Sequence, residues 1–357
     1  MLIYGGFYLI MSGLILLAQR SLHEYARILV FFIFLILLLF AGLRGLVGAD
    51  TLSYLTFYDQ FKDTGVVVDY LTKMEPIFVL LLAAHSQLID SKFLYIFMMS
   101  LCQVWILYLV FSQSSNKYYF LLCYVLLFFI NFHFNVTRAA VAAMLLLLAL
   151  ATDSTRVRLL AAIVAPGFHV SVIFFYPLFF SSLNLKRVLL LVALSVFVMF
   201  LVWQNFGYFV MKYNAYQDYL VGYSPGISIY NVVLAICVLA SVVFFREVSF
   251  SYLAVSFFLL VSIVLAELFP IGYRLLSIAL LLYFYFLLEE LARGEYRLYY
   301  VFFWFPMLLT FGALFNGVIN EVPSLEERIQ MGVGEGLEES LKSTYIPYQF
   351  YWADDDL

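Results

Sequence analysis

The stretch ILVFFIFLILLLFAGL, Ile28 to Leu43, runs for sixteen residues without one polar side chain. A helix apolar on one face only would alternate with charge every third or fourth position, and this one does not. As a helix it is about 24 Å long, close to the hydrocarbon thickness of a bilayer. Arginines bracket it, Arg27 before and Arg44 directly after. Comparable apolar runs recur at 2–18, 93–111, 118–134, 139–152, 159–183, 188–203, 228–245, 250–269, 275–291 and 298–316. None shows the short alternating segments of a transmembrane barrel. The chain therefore reads as an all-α polytopic membrane protein.

Composition agrees. Of 357 residues 65% are hydrophobic and only 12% charged, against roughly 25% charged in ordinary globular chains. Mean hydropathy is +1.00. A soluble enzyme, a nucleic-acid binder, a disordered hub and a secreted disulfide scaffold are all excluded, because too little polar surface remains to cover a core. The net charge of −4 implies no polyanionic partner. Cys102, Cys123 and Cys237 lie inside apolar runs and read as small buried hydrophobes. The first run has neither a basic leader nor a small-residue cleavage site, and reads as a retained helix.

Basic residues orient the spans. The short loops 19–27, 112–117, 153–158, 184–187, 246–249 and 292–297 hold ten of the 19 Lys and Arg residues, and are expected in the cytoplasm. Segments 44–92, 204–227 and 317–357, and with them both termini, then fall outside. Two irregularities follow. The run 159–183 begins and ends at cytoplasmic loops, so it must enter and return, and Pro166-Gly167-Phe168-His169 suits the tip of a hairpin of two short helices. The segment 76–90 cannot cross fully and reads as an interfacial or re-entrant helix. The expectation is ten to twelve transmembrane helices in one membrane domain, 1–316, with an acidic outer tail, 317–357.

An arginine at mid-membrane costs about 2.5–3.5 kcal/mol on insertion scales, so Arg44, Arg138, Arg274 and the hairpin histidine His169 stand out. Each has a structural reading. Arg44 snorkels to headgroups; Arg138 and Arg274 pair with acids such as Asp50, Glu75 or Glu267; His169 sits satisfied at the interface. All four nevertheless map to the outer side, against the positive-inside bias. Guanidinium groups gathered there suit diphosphate or carboxylate, which they contact bidentately and always charged. No phosphate loop, His-Glu-x-x-His helix or Cys/His metal spacing occurs, so no metal cofactor is expected.

Arg44-x3-Gly48-x-Asp50-Thr51-x2-Tyr54, followed by Glu75-Pro76-Ile77-Phe78, resembles the opening signature of the EpsG family of Wzy-like bacterial exopolysaccharide polymerases. Phe134-Asn135-Val136-Thr137-Arg138-Ala139-Ala140 is similar to that family's Asn-x2-Arg-Gln stretch, with Ala139 where Gln is usual. Gly167-Phe168-His169-Val170-Ser171 is similar to its Phe-His-x-Ser hairpin, and Tyr273-Arg274-Leu275 and Ile346-Pro347-Tyr348 follow in the expected order. The resemblance implies a GT-C-type glycosyltransferase acting on polyprenyl-diphosphate-linked repeat units at the outer face of the bacterial cytoplasmic membrane.

It implies Asp50, His169 and Arg138 as catalytic residues, and Arg44, Thr51, Tyr54, Arg274 and Asn135 as substrate contacts. The acceptor hydroxyl needs a base, Asp50 or His169. The departing diphosphate needs positive charge, which the arginines supply in place of a cation. Tyr54 and the aromatic segment 204–227 offer faces for sugar rings. The expected partners are the lipid-linked oligosaccharides, membrane lipid, a chain-length regulator and a flippase, with no nucleic acid. Three other activities use similar residues: a flippase for lipid-linked sugars, an O-antigen ligase and a membrane O-acyltransferase.

Overall fold

The computed structural model describes residues 2–44, 49–71, 74–181, 228–245, 248–268, 272–293 and 300–320. The apolar run 188–203, the aromatic segment 204–227 and the tail from 321 onward lie outside them, as does Ile346-Pro347-Tyr348. Among the described residues every regular element is a helix. In chain order these are α1 (Leu2–Arg20), α2 (His23–Gly42), α3 (Ala49–Gln60), α4 (Thr64–Leu71), α5 (Pro76–Leu88), α6 (Lys92–Gln113) and α7 (Lys117–Cys123). After a π-helical continuation come α8 (Thr137–Ala151), α9 (Thr155–Phe168), a 3₁₀ arm (Val170–Ser181), α10 (Ile229–Phe244), α11 (Phe250–Leu268), α12 (Gly272–Arg293) and α13 (Val301–Asn320).

Five helices, α1, α2, α6, α11 and α12, are long and apolar enough to cross a membrane. At 19 to 22 residues they measure about 28–33 Å. The protein is a multi-pass membrane protein. Shorter apolar helices include Thr137–Ala151, Ile229–Phe244 and the 13-residue Pro76–Leu88. The last of these is about 20 Å long, too short to cross alone.

Two compact units divide the chain: Met1–Val66, Leu81–Val141 and Met307–Leu357 form the first, Val67–Leu80 and Ala142–Pro306 the second. In the first, α2 packs against α1 and α6. Its Ile33, Leu37 and Ala41 are buried while Ile28, Phe31 and Phe32 on the other side are exposed, as expected of a helix with one face toward lipid. The Phe7 ring stacks on Phe40 at 4.1 Å and on Phe129 at 5.2 Å.

In the second unit α11 and α12 run side by side, with α10 against α11. Ile278 through Tyr285 are all buried, so α12 is enclosed on every side and forms the unit's central helix. Gly272 permits the close return from α11, because a Cβ there would collide with the backbone of Leu265 and Ala266. Hydroxyls stitch the three helices together, Ser241 Oγ lying 2.5 Å from Tyr252 Oη and 3.2 Å from Tyr283 Oη.

Over the described part of 159–183 the chain turns at His169. The arms on either side are α9 and the 3₁₀ segment, which pack on each other. Pro166 and Pro177 each remove an amide donor from an arm. Tyr176, seven residues after His169, donates its hydroxyl to the carbonyl of Ala162, seven residues before it. His169 at the junction is extended, with φ −160° and ψ 121°.

Candidate functional site

The first unit builds its polar cluster around a widened helix. After α7 the chain winds as π-helix over Tyr124–Phe129 and again over Asn131–Asn135. The wider turn closes with the Val136 amide donating to the Asn131 carbonyl at 3.1 Å. Such turns are rare, and they concentrate at functional positions. Side chains bond the carbonyls at its end. Arg44 Nη1 donates to the carbonyl of His133, as does Thr137 Oγ1 at 3.2 Å. From α6, Gln103 Nε2 donates to Phe132 and Thr137 carbonyls at 3.3 and 3.1 Å.

Arg44 is thus not a snorkelling residue. It is 1% exposed, and its guanidinium carbon lies 4.8 Å from the centroid of the Phe134 ring. Asn135 and Thr137 are buried and Arg138 is half-buried in the first turn of α8. Asp50 occupies the first turn of α3, which packs against Asn131–Asn135 and α6. Thr51 and Tyr54 on the same helix are 0% and 2% exposed. This unit therefore brings Arg44, Thr51, Tyr54, Asn135 and Arg138 onto neighbouring elements.

His133 and Tyr124 belong to the same cluster, with Tyr124 Oη 3.1 Å from His133 Nε2. Neither is among the residues expected from the sequence. The available signal was a histidine inside an otherwise apolar run, which the bilayer disfavours.

The second unit brings His169 and Arg274 together, although 105 residues separate them. Arg274 Nη1 lies 3.3 Å from His169 Nε2. On the opposite edge of the ring, His169 Nδ1 is 2.9 Å from Ser171 Oγ, 3.3 Å from the Ser171 amide and 3.8 Å from Glu75 Oε1. Glu75, expected as an arginine's counter-ion, lies beside the histidine.

Local sequence explains the placement. Pro76 opens α5, where its missing N–H costs nothing, and the Glu75 carbonyl accepts the first helical bond, from Val79 at 3.1 Å. Next to it, Gly167 lets the hairpin approach α5, since a Cβ would strike the Ile77 side chain. Arg274 projects from the first turn of α12. Glu267, the other expected arginine partner, accepts instead from the Ser228 amide at 3.1 Å and from Asn231 Nδ2 at 2.5 Å. Among the described residues no three His, Cys, Asp or Glu side chains gather as a metal-ion group.

Chemically, the second-unit cluster joins an imidazole, a carboxylate and a guanidinium in one line: a proton acceptor, its counter-charge and an anion contact. Comparison with curated proteins and with solved structures gives no match. The family comparison does: the EpsG family matches residues 27–327, a span containing both polar clusters. The chain belongs to the EpsG family, Wzy-like membrane proteins of the polysaccharide polymerase type.

Proposed function

We propose that the protein polymerises polyprenyl-diphosphate-linked oligosaccharide repeat units at the outer face of the bacterial cytoplasmic membrane, for O-antigen or exopolysaccharide, by glycosyl transfer without a metal ion. The observation that carries this reading is the Glu75–His169–Arg274 line. In the proposed reaction an acceptor sugar hydroxyl attacks the anomeric carbon of the glycan on its lipid carrier. The hydroxyl proton passes to His169, and the carbon–oxygen bond to the diphosphate breaks. His169 is taken as the base because a carboxylate and a guanidinium flank its ring. Arg274 stabilises the charge that grows on the leaving diphosphate, and Arg138 serves as a substrate contact of the first unit.

The test is glycan chain length in a deletion strain complemented with wild-type or variant protein. Wild type restores a ladder of repeats; His169→Ala, at equal membrane abundance, leaves single capped repeats, since general-base catalysis contributes roughly 10²- to 10⁴-fold. Other outcomes from the deletion strain would overturn the reading. Lipid A without any cap indicates a ligase, full-length unacylated glycan an acyltransferase, and repeats stranded on the inner leaflet a flippase.

A further inference from the structure

The ring of His169 is addressed by hydrogen-bond donors on both edges: Arg274 Nη1 at Nε2 and the Ser171 amide at Nδ1. A neutral imidazole has one lone pair with which to accept. If that lone pair is on Nδ1, the N–H on Nε2 faces a guanidinium N–H, setting donor against donor beside a full cation. If it is on Nε2, Arg274 is satisfied and only the Ser171 amide loses its acceptor. The second arrangement is the less costly, and it leaves the Nδ1 proton with two acceptors nearby, Ser171 Oγ at 2.9 Å and the Glu75 carboxylate at 3.8 Å. The reactive lone pair is then the one that Arg274 covers.

We infer that Arg274 caps the base until a diphosphate arrives: a guanidinium drawn to diphosphate oxygens leaves Nε2 of His169, and only then can that nitrogen accept a proton from a hydroxyl. This rests on the polymerase reading and deepens it, because the leaving group would switch on the base that serves its own departure. In the step itself the acceptor O–H bond breaks and its proton bonds to Nε2. The hydroxyl oxygen forms the new bond to the anomeric carbon, and the electron pair of the broken glycosyl bond leaves on the diphosphate. His169 then carries protons on both nitrogens, with Nδ1–H toward Ser171 and Glu75, and returns one to water. Without a carrier in place the acceptor meets no free base, so the uncovering also orders the two substrates.

The experiment is acylation of His169 by diethyl pyrocarbonate, whose carbonyl carbon is attacked by an available imidazole lone pair. It uses purified full-length protein in nanodiscs, read by peptide mass spectrometry with His23, His85 and His133 as internal references. Inorganic pyrophosphate is the probe. Arg274→Ala should speed modification of His169 roughly 10-fold, the factor expected from losing one hydrogen bond to a charged group. Pyrophosphate should accelerate it in the wild type and not in Arg274→Ala. Equal rates in wild type and variant would overturn the inference, as would pyrophosphate that slows or leaves unchanged the wild-type rate. If the variant fails to insert, the wild-type comparison with and without pyrophosphate decides alone. Labelling needs no glycan transfer, so a flat result beside a normal glycan ladder removes the cap only. Acceleration in a protein whose deletion leaves glycan length unchanged removes the polymerase reading only.

Discussion

The guanidinium of Arg44 lies over the ring of Phe134 and donates to the carbonyl of His133, so one side chain grips two successive residues of the π-helical segment. Fully buried, it acts on the protein's own backbone. A charged hydrogen bond contributes about 1.5–3 kcal/mol and the cation–π contact about 0.5–2 kcal/mol. Arg44→Ala should therefore lower membrane abundance and the thermal unfolding midpoint in detergent. Arg44→Lys should rescue little, because an ammonium cannot lie flat on the ring and reach the carbonyl together. Normal abundance with glycan stopped at one repeat would instead give Arg44 the substrate role implied by its motif.

Glycine 272 offers a test of packing alone. A methyl there meets the backbone of Leu265 and Ala266, which cannot turn aside as a side chain would. Gly272→Ala should cost about 1–3 kcal/mol by overpacking. Gly312→Ala, in a helix with open space around the new carbon, should be neutral or slightly stabilising. Unfolding midpoints of the two variants, measured side by side, decide it. Equal midpoints would mean that the turn between α11 and α12 can open to admit a methyl group.

What could be read in advance follows from where information is stored. Helices were legible because sixteen apolar residues in a row admit few other structures. The break at His169 was legible because Pro166 and Gly167 punctuate the run. The π-helix at Tyr124–Asn135 was not: its apolar residues suit either turn, and composition does not distinguish a bond to the fourth residue from one to the fifth. His169 and Arg274 stand out as polar groups in an apolar chain, but 105 residues separate them and their contact is made only by the tertiary fold. The partner of Arg44 could not be guessed, since a main-chain carbonyl carries no sequence signature.

Orientation can be tested directly. In a background lacking Cys102, Cys123 and Cys237, a cysteine at Lys62 should react with an impermeant maleimide on intact spheroplasts. Cysteines at Arg156 or Arg293 should react only after permeabilisation. The reverse pattern would invert the topology and move the proposed chemistry to the cytoplasmic side.

Chelation separates arginine from metal-ion electrophiles. If guanidinium groups carry the leaving-group charge, polymerisation in membrane vesicles should persist in excess EDTA at no less than about half its rate, since that barrier change is under 0.5 kcal/mol. Activity abolished by EDTA and restored by Mg²⁺ or Mn²⁺ would replace the arginine mechanism with a metal-assisted one.

Arg138 and Arg274 should be needed for turnover and not for folding. Losing a charge-assisted contact to substrate of about 1.5–3 kcal/mol slows transfer roughly 10- to 150-fold. Arg138→Ala and Arg274→Ala should thus insert normally and yield glycan stopped near one repeat. Lysine should substitute poorly at either position, because it brings a point charge without the bidentate fork. A purely structural ion pair predicts the opposite pattern: low abundance, recovered when the acidic partner is removed as well, since an unpaired buried charge is what destabilises. Arg274 shares His169 with an acid, Glu75. Recovery of abundance in a Glu75→Gln, Arg274→Ala double variant would therefore mark the line as a structural clasp. Abundance and glycan length measured on the same strains distinguish the two, and a full-length ladder from Arg138→Ala would leave that arginine without the role assigned to it.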